Sequence, residues 1–170
     1  MSKIKLLILL LTSFSIFSCT NDQKNYSNQK YSLAYIGGEF DGLVLKNYLM
    51  GNLSNLGIYD KNSNFEIYAS INHDSDLFIT NIDNTSDRRR IDTMLSIQII
   101  DKKKNCSLYN EEITVSQFYI FASSDKFMSN QKANTKIKKE NTQTAVRQFI
   151  NELKSINSKC NEKKESNIIN

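Results

Sequence analysis

Every second residue from Ile91 to Ile99 (Ile91, Thr93, Leu95, Ile97, Ile99) is apolar or β-branched, and the residues between them are mostly polar. Successive side chains of a strand point to opposite faces, so this spacing makes a strand with one dry side. The signature occurs upstream as well, where Phe65, Ile67, Ala69 and Ile71 alternate with Glu66, Tyr68, Ser70 and Asn72. It returns from Cys106 to about Phe121, with Ile113, Val115, Tyr119 and Phe121 as the inward residues. The polar stretch 81–87 reads as a turn or mobile loop, and DKKKN, 101–105, as a solvated hairpin tip. Three long one-sided strands must bury their apolar face against something else.

Two other segments supply that cover. From Glu39 the period changes, and Phe40, Leu43, Val44, Tyr48, Leu49, Leu53 and Leu56 fall at helical spacing until Gly57 stops the run. After ASSDKFMSNQKAN a second helix carries Ile137, Ala145, Val146, Phe149, Ile150, Leu153 and Ile156 as one stripe on a charged cylinder. YSLAYI, 31–36, is a short strand broken by Gly37-Gly38. The expected fold is α+β: a four-stranded, mostly antiparallel sheet with two helices packed on one face, in the order strand-helix-strand-strand-strand-helix. The closing strand and helix then run antiparallel, which brings Cys160, just past the helix, towards Cys106 at the start of the strand. A Cys106–Cys160 disulfide is the reading favoured in an oxidising compartment, with two separate thiols as the alternative.

The first residues have a different purpose. Lys3 and Lys5 precede an apolar stretch, Leu6 to Phe17, that ends at Ser18-Cys19. About 12 apolar residues are too few to cross a bilayer, which takes about 20, but they suit a secretory signal. Ile16-Phe17-Ser18-Cys19 is similar to the bacterial lipobox, in which the cysteine thiol receives a diacylglyceryl group and becomes the acylated N-terminus. A plain cleaved signal and an uncleaved anchor are the competing readings. Cys19 as lipid attachment site divides the chain into a signal peptide, 1–18, and a lipidated polar tether, 19–30. A single domain, 31–157, follows, then a charged tail, 158–170. Thr20 stands where an aspartate would favour the inner membrane, so the expected location is the periplasmic face of the outer membrane.

Little material for chemistry remains. Loss of Lys3 and Lys5 lowers the formal charge from +4 to +2, too little to argue for nucleic acid, which export also disfavours. There is no C-x-x-C spacing and the chain has one histidine, so neither a metal site nor a cofactor is expected. His73 lies between Asn72 and Asp74 at a strand bend, where a solvated or hydrogen-bonded role is expected. Glu111 and Glu112 are adjacent and so would face opposite sides of a strand. No nucleophile with a positioned base is evident, and the chain is not expected to be an enzyme.

Three segments carry a resemblance. They are FDGLVLKNYLMGNLSNLGI, the basic turn leading into a strand in SDRRRIDTMLSIQIIDK, and VSQFYIFASSDKFMSNQKANTKIKKENTQTAVRQFINELKS. Together with the lipobox and the order of elements, they make residues 31 to 157 resemble the lipopolysaccharide-assembly lipoproteins of the LptE family. The resemblance implies a non-enzymatic plug inside the outer-membrane barrel LptD of a Gram-negative bacterium, which assists the barrel's assembly and helps pass lipopolysaccharide to the cell surface. It also implies basic residues at one end of the fold that meet anionic lipopolysaccharide. Arg88, Arg89 and Arg90 match the family's basic turn, and Lys132, in the connection before the last helix, matches a second basic position. The alternative is an unrelated periplasm-facing lipoprotein acting as a generic binding or scaffold module.

Overall fold

A computed structural model describes residues 29–79, 87–121, 126–156 and 160. The elements are β1 (Tyr31–Gly37), α1 (Glu39–Asn55), β2 (Phe65–Ile79), β3 (Asp87–Asp101), β4 (Cys106–Ile120) and α2 (Phe127–Glu152). They form the expected α+β arrangement, with sheet order β1-β2-β3-β4. β1 pairs with β2 in parallel, while the other two pairings are antiparallel, so the sheet is mixed. A parallel pair needs a crossover, and α1 supplies it. Cys19, the tether up to residue 28, the 80–86 segment and the tail beyond Cys160 lie outside the described residues.

Both helices cover the same face. Leu45, Leu49 and Leu53 of α1, and Ala145, Val146 and Phe149 of α2, share one core with Ile67, Leu95, Ile97 and Ile99 of the sheet. The stripe of α1 is rotated from the expected one: Gly42, Leu45, Leu49 and Leu53 are buried, whereas Phe40 is 76% and Leu43 55% exposed. The cause is Gly42. A Cβ there would stand 2.7 Å from the Gly37 carbonyl oxygen, so the bare glycine lets the first turn press against the end of β1 and turns Phe40 and Val44 aside.

The strand-to-helix corner depends on Gly38, whose φ of 112° lies in the left-handed region that side chains avoid. A Cβ at that position would meet the Ile71 carbonyl oxygen at 2.7 Å. Gly38→Ala is therefore expected to cost about 2 kcal/mol in a urea melt; an unchanged midpoint would show that the corner relaxes freely.

Two more expectations are corrected. β2 does not bend at His73, which pairs directly with Thr93 in an unbroken ladder to Ile79; the alternation continues far enough to keep residue 73 on the inner face. α2 begins at Phe127, so Lys132 lies within a helix rather than a connection. The polar run FMSNQKAN has no Gly or Pro to oppose helix and simply lacks an apolar stripe.

Element lengths then create an overhang. The 17 residues of α1 rise about 1.5 Å each, roughly 25 Å in all, whereas the 15 residues of β2 cover nearly twice that at about 3.3 Å each. α1 starts beside Ile71 and pairs with the half of the sheet that begins at Phe65. The far halves of β2, β3 and β4 extend beyond it.

Candidate ligand-binding groove

That overhang is floored by sheet and walled by helix ends. A groove of about 850 Å³ lies there, lined by Phe40, Asp41 and Val44 of α1 and by Arg89, Tyr119 and Phe121 from the β3–β4 end of the sheet. The first half of α2 closes the other side with Phe127, Asn134, Lys138, Lys139 and Thr142 among its residues. Among the described residues, four aromatic rings and three cations thus share one hollow with a single carboxylate, Asp41.

Alternation separates the three arginines. Arg88, Arg89 and Arg90 are strand residues, paired with Phe78, Leu77 and Asp76 on one side and with Ile120, Tyr119 and Phe118 on the other. Arg89 shares the inward parity of Ile91 and Thr93 and enters the groove; Arg88 and Arg90 take the opposite face. Arg90 is engaged there, with Nε 2.8 Å from Asp92 Oδ2 and Nη2 3.4 Å from Asp76 Oδ2. Arg89 instead lies over the Phe121 ring, 4.6 Å from its centroid, in cation–π geometry. Among the described residues no carboxylate is within ion-pair distance of Arg89, and its buried Nε has no protein partner. Lys132 and Lys136 line an adjoining, smaller hollow, which shares Gln131, Thr135 and Lys139 with the groove.

The sequence points to Tyr119 and Phe121 as inward residues, but not to Lys138 and Lys139, hidden in a lysine-rich helix, nor to Phe40 and Phe127 as the rest of an aromatic wall. Phe40 had been assigned to the core. A signal was present: Phe40 and Leu43 lie one step round the helix from a glycine–leucine row, Gly42-Leu45-Leu49-Leu53, that is equally periodic.

Below the groove, polar groups cross the core. Asn141 is fully buried, and its Nδ2 donates to Thr93 Oγ1 at 3.1 Å, Ile91 O at 3.1 Å and Val115 O at 3.3 Å. Thr93 Oγ1 is 2.7 Å from His73 Nδ1. The Asn141 amide nitrogen can only donate, so Thr93 accepts from it and is free to donate its hydroxyl hydrogen bond to Nδ1, the arrangement in which the neutral imidazole carries its hydrogen on Nε2. Nε2 points at Asp41 Oδ2, 3.8 Å away. Burial pushes His73 below its ordinary range; Asp41 opposes this and Lys138 adds to it. Hydroxyl, imidazole and carboxylate have the order of a nucleophile relay, but Thr93 is 0% exposed and no substrate carbonyl reaches its oxygen.

Among the described residues no helix covers the opposite sheet face, which mixes polar pairs with exposed apolar side chains: Phe118 is 51% and Ile120 71% exposed. Lys102 Nζ pairs with Glu66 Oε1 at 2.9 Å, the Tyr68 hydroxyl donates to Glu66 Oε2 at 2.9 Å, and Ser116 bonds Asp92.

No protein-family model matches the chain, and no curated protein matches it in sequence. The fold, however, is that of solved bacterial lipoproteins. A minor lipoprotein from Acinetobacter baumannii superposes with a TM-score of 0.57 at 14% identity, covering 76% of this chain and 92% of that one. Rare lipoprotein B from Shewanella oneidensis gives 0.56 at 9% identity, with 72% and 94% covered. Lipoprotein B from Nitrosomonas europaea gives 0.58 at 12% identity, with 75% and 83% covered.

Proposed function

We propose that this chain is a non-enzymatic lipoprotein, acylated at Cys19 and held at the periplasmic face of the outer membrane. In this reading it plugs the lipopolysaccharide-translocating barrel LptD, assists its assembly and helps deliver lipopolysaccharide to the surface. The observation that carries it is the groove, where Arg89, Lys138 and Lys139 stand beside Phe40, Tyr119, Phe121 and Phe127. Lipopolysaccharide joins phosphates to acyl chains, and so asks for cations next to an apolar wall. Arginine suits the phosphate because its fork makes paired, charge-assisted hydrogen bonds. The polar pairs Lys102–Glu66 and Ser116–Asp92 on the uncovered sheet face support the plug part of the reading, since the interior of a large membrane barrel is polar. Of the arginine run, Arg89 is the residue assigned to the ligand, and Arg88 and Arg90 to the solvent face.

Two measurements test this. Tagged protein pulled from outer membranes in mild detergent should bring a large β-barrel in stoichiometric amount; recovery of the acylated chain alone would return it to the generic lipoprotein reading. Arg89→Ala should weaken lipopolysaccharide binding about 10- to 100-fold, with reduced salt dependence, while Arg88→Ala changes it by less than about threefold. Equal effects at the two positions would refute the groove as the site.

A further inference from the structure

One carboxylate oxygen in the groove lies between a lysine ammonium and an imidazole nitrogen. Asp41 Oδ2 lies 3.8 Å from His73 Nε2 and 4.0 Å from Lys138 Nζ, both beyond hydrogen-bond length but close enough for strong charge coupling. Asp41 sits on α1, Lys138 on α2 and His73 on β2; the three meet because α1, packed on β1 and β2, and α2, packed on β3 and β4, contact each other above the sheet. The charged groups facing the imidazole are Asp41 from α1 and Lys138 from α2, while Asp74, next to it in the strand, acts more weakly from the opposite face; β3 offers the Thr93 hydroxyl, which does not titrate in this range. The His73 side chain is 2% exposed and that of Lys138 32%. Lys138 can therefore reach a ligand in the groove, whereas His73 cannot touch it.

We infer that His73 is a positioning residue of the groove, which takes up a proton when an anionic headgroup draws Lys138 away from Asp41. The inference rests on the reading of this groove as the site of an anionic amphiphile and adds its regulation. In the empty groove, the Lys138 ammonium neutralises Asp41 and repels a second cation, so the imidazole stays neutral. A phosphate drawn to Arg89, Lys138 and Lys139 turns the ammonium outward and leaves Asp41 without its counter-charge. The imidazolium then supplies it: the new proton enters at Nδ1 and is donated to Thr93 Oγ1 as the hydroxyl hydrogen rotates off the ring, while Nε2–H continues to face Asp41. Binding and protonation reinforce each other, so affinity increases as pH falls, from the bound-state pKa down to the free-state pKa.

The chain contains one histidine, so its ring proton gives a single resonance in protein purified without a polyhistidine tag. The probe is dihexanoyl phosphatidylglycerol, whose phosphodiester keeps a constant charge across the range. The His73 pKa, followed by NMR with and without saturating lipid, is expected to rise by about one pH unit, equivalent to about tenfold tighter binding at the acid limit. Asp41→Asn, which releases Lys138 before any lipid arrives, should bind lipid more tightly and abolish the rise. An unchanged His73 pKa in a complex whose Arg89 and Lys138 signals do shift would overturn this inference and leave the groove reading standing. Absence of any shift at Arg89 and Lys138 would remove the groove reading, and this inference with it.

Discussion

Phe149→Ala is expected to destabilise the protein by about 3–5 kcal/mol, enough to leave a domain of this size largely unfolded in moderate urea. The ring is 0% exposed and tilts against Tyr109 with centroids 5.7 Å apart. It lies where α2 presses on β4, the edge strand, so its removal opens a cavity that no neighbouring strand can move in to fill. The Tyr109 hydroxyl bonds Glu152 three residues further along α2, which holds the strand and helix at a fixed spacing. Chemical denaturation followed by far-UV circular dichroism measures the loss. A cost below about 1.5 kcal/mol would mean that α2 shifts inward to close the gap, and that the helix is less firmly seated than its burial implies.

Removing the covalent link between the same two elements should be almost as costly. Cys106 and Cys160 are bonded, with a sequence separation of 54. A cross-link of that span restricts the unfolded chain by about 4 kcal/mol in the chain-entropy account. Cys106→Ser with Cys160→Ser should therefore lower stability by about 2–4 kcal/mol, most of it by speeding unfolding from the end of α2. The wild type under reducing conditions should match the double variant. If reduction leaves the melt unchanged, the bond closes a junction that packing already holds.

Most of the fold was readable because the strands are long and their alternation is strict. Ile91 to Ile99 admits one register only, since a slip of one residue would place every apolar side chain in water. The helices were less legible for opposite reasons. α1 has too many apolar residues for its stripe to be unique, and Gly42, a residue without hydrophobicity, decided the rotation by allowing close approach to Gly37. α2 carries Asn130, Asn141 and Thr142 on its buried side, so its first turns looked like a loop. The groove was legible in part. The arginine run marked the right end of the sheet, but only the parity of β3 distinguishes Arg89 from its neighbours. Lys138 and Lys139 become part of the site through the α1–α2 crossing, a distant contact that local sequence does not encode. His73 was read as a bend residue because Asn72 and Asp74 flank it; both face outward in a continuous strand.

The lengths of the strands carry one more consequence. The chain enters the fold at Tyr31, which stands in register with Phe65, itself opposite Asp101; the groove is at the other extremity, where β3 begins. The twelve residue steps of β3 from Arg89 to Asp101 at about 3.3 Å each separate the two by roughly 40 Å, close to the full thickness of a bilayer with its headgroups, about 40–45 Å. A domain tied by a lipid at its entry end and standing upright in a barrel would hold Arg89 level with the far leaflet. Under the proposed function the sheet would be a ruler, letting a protein fastened to one side of a membrane handle a molecule on the other, and shortening each of the three long strands by two residues would leave the cations about 7 Å short of that surface.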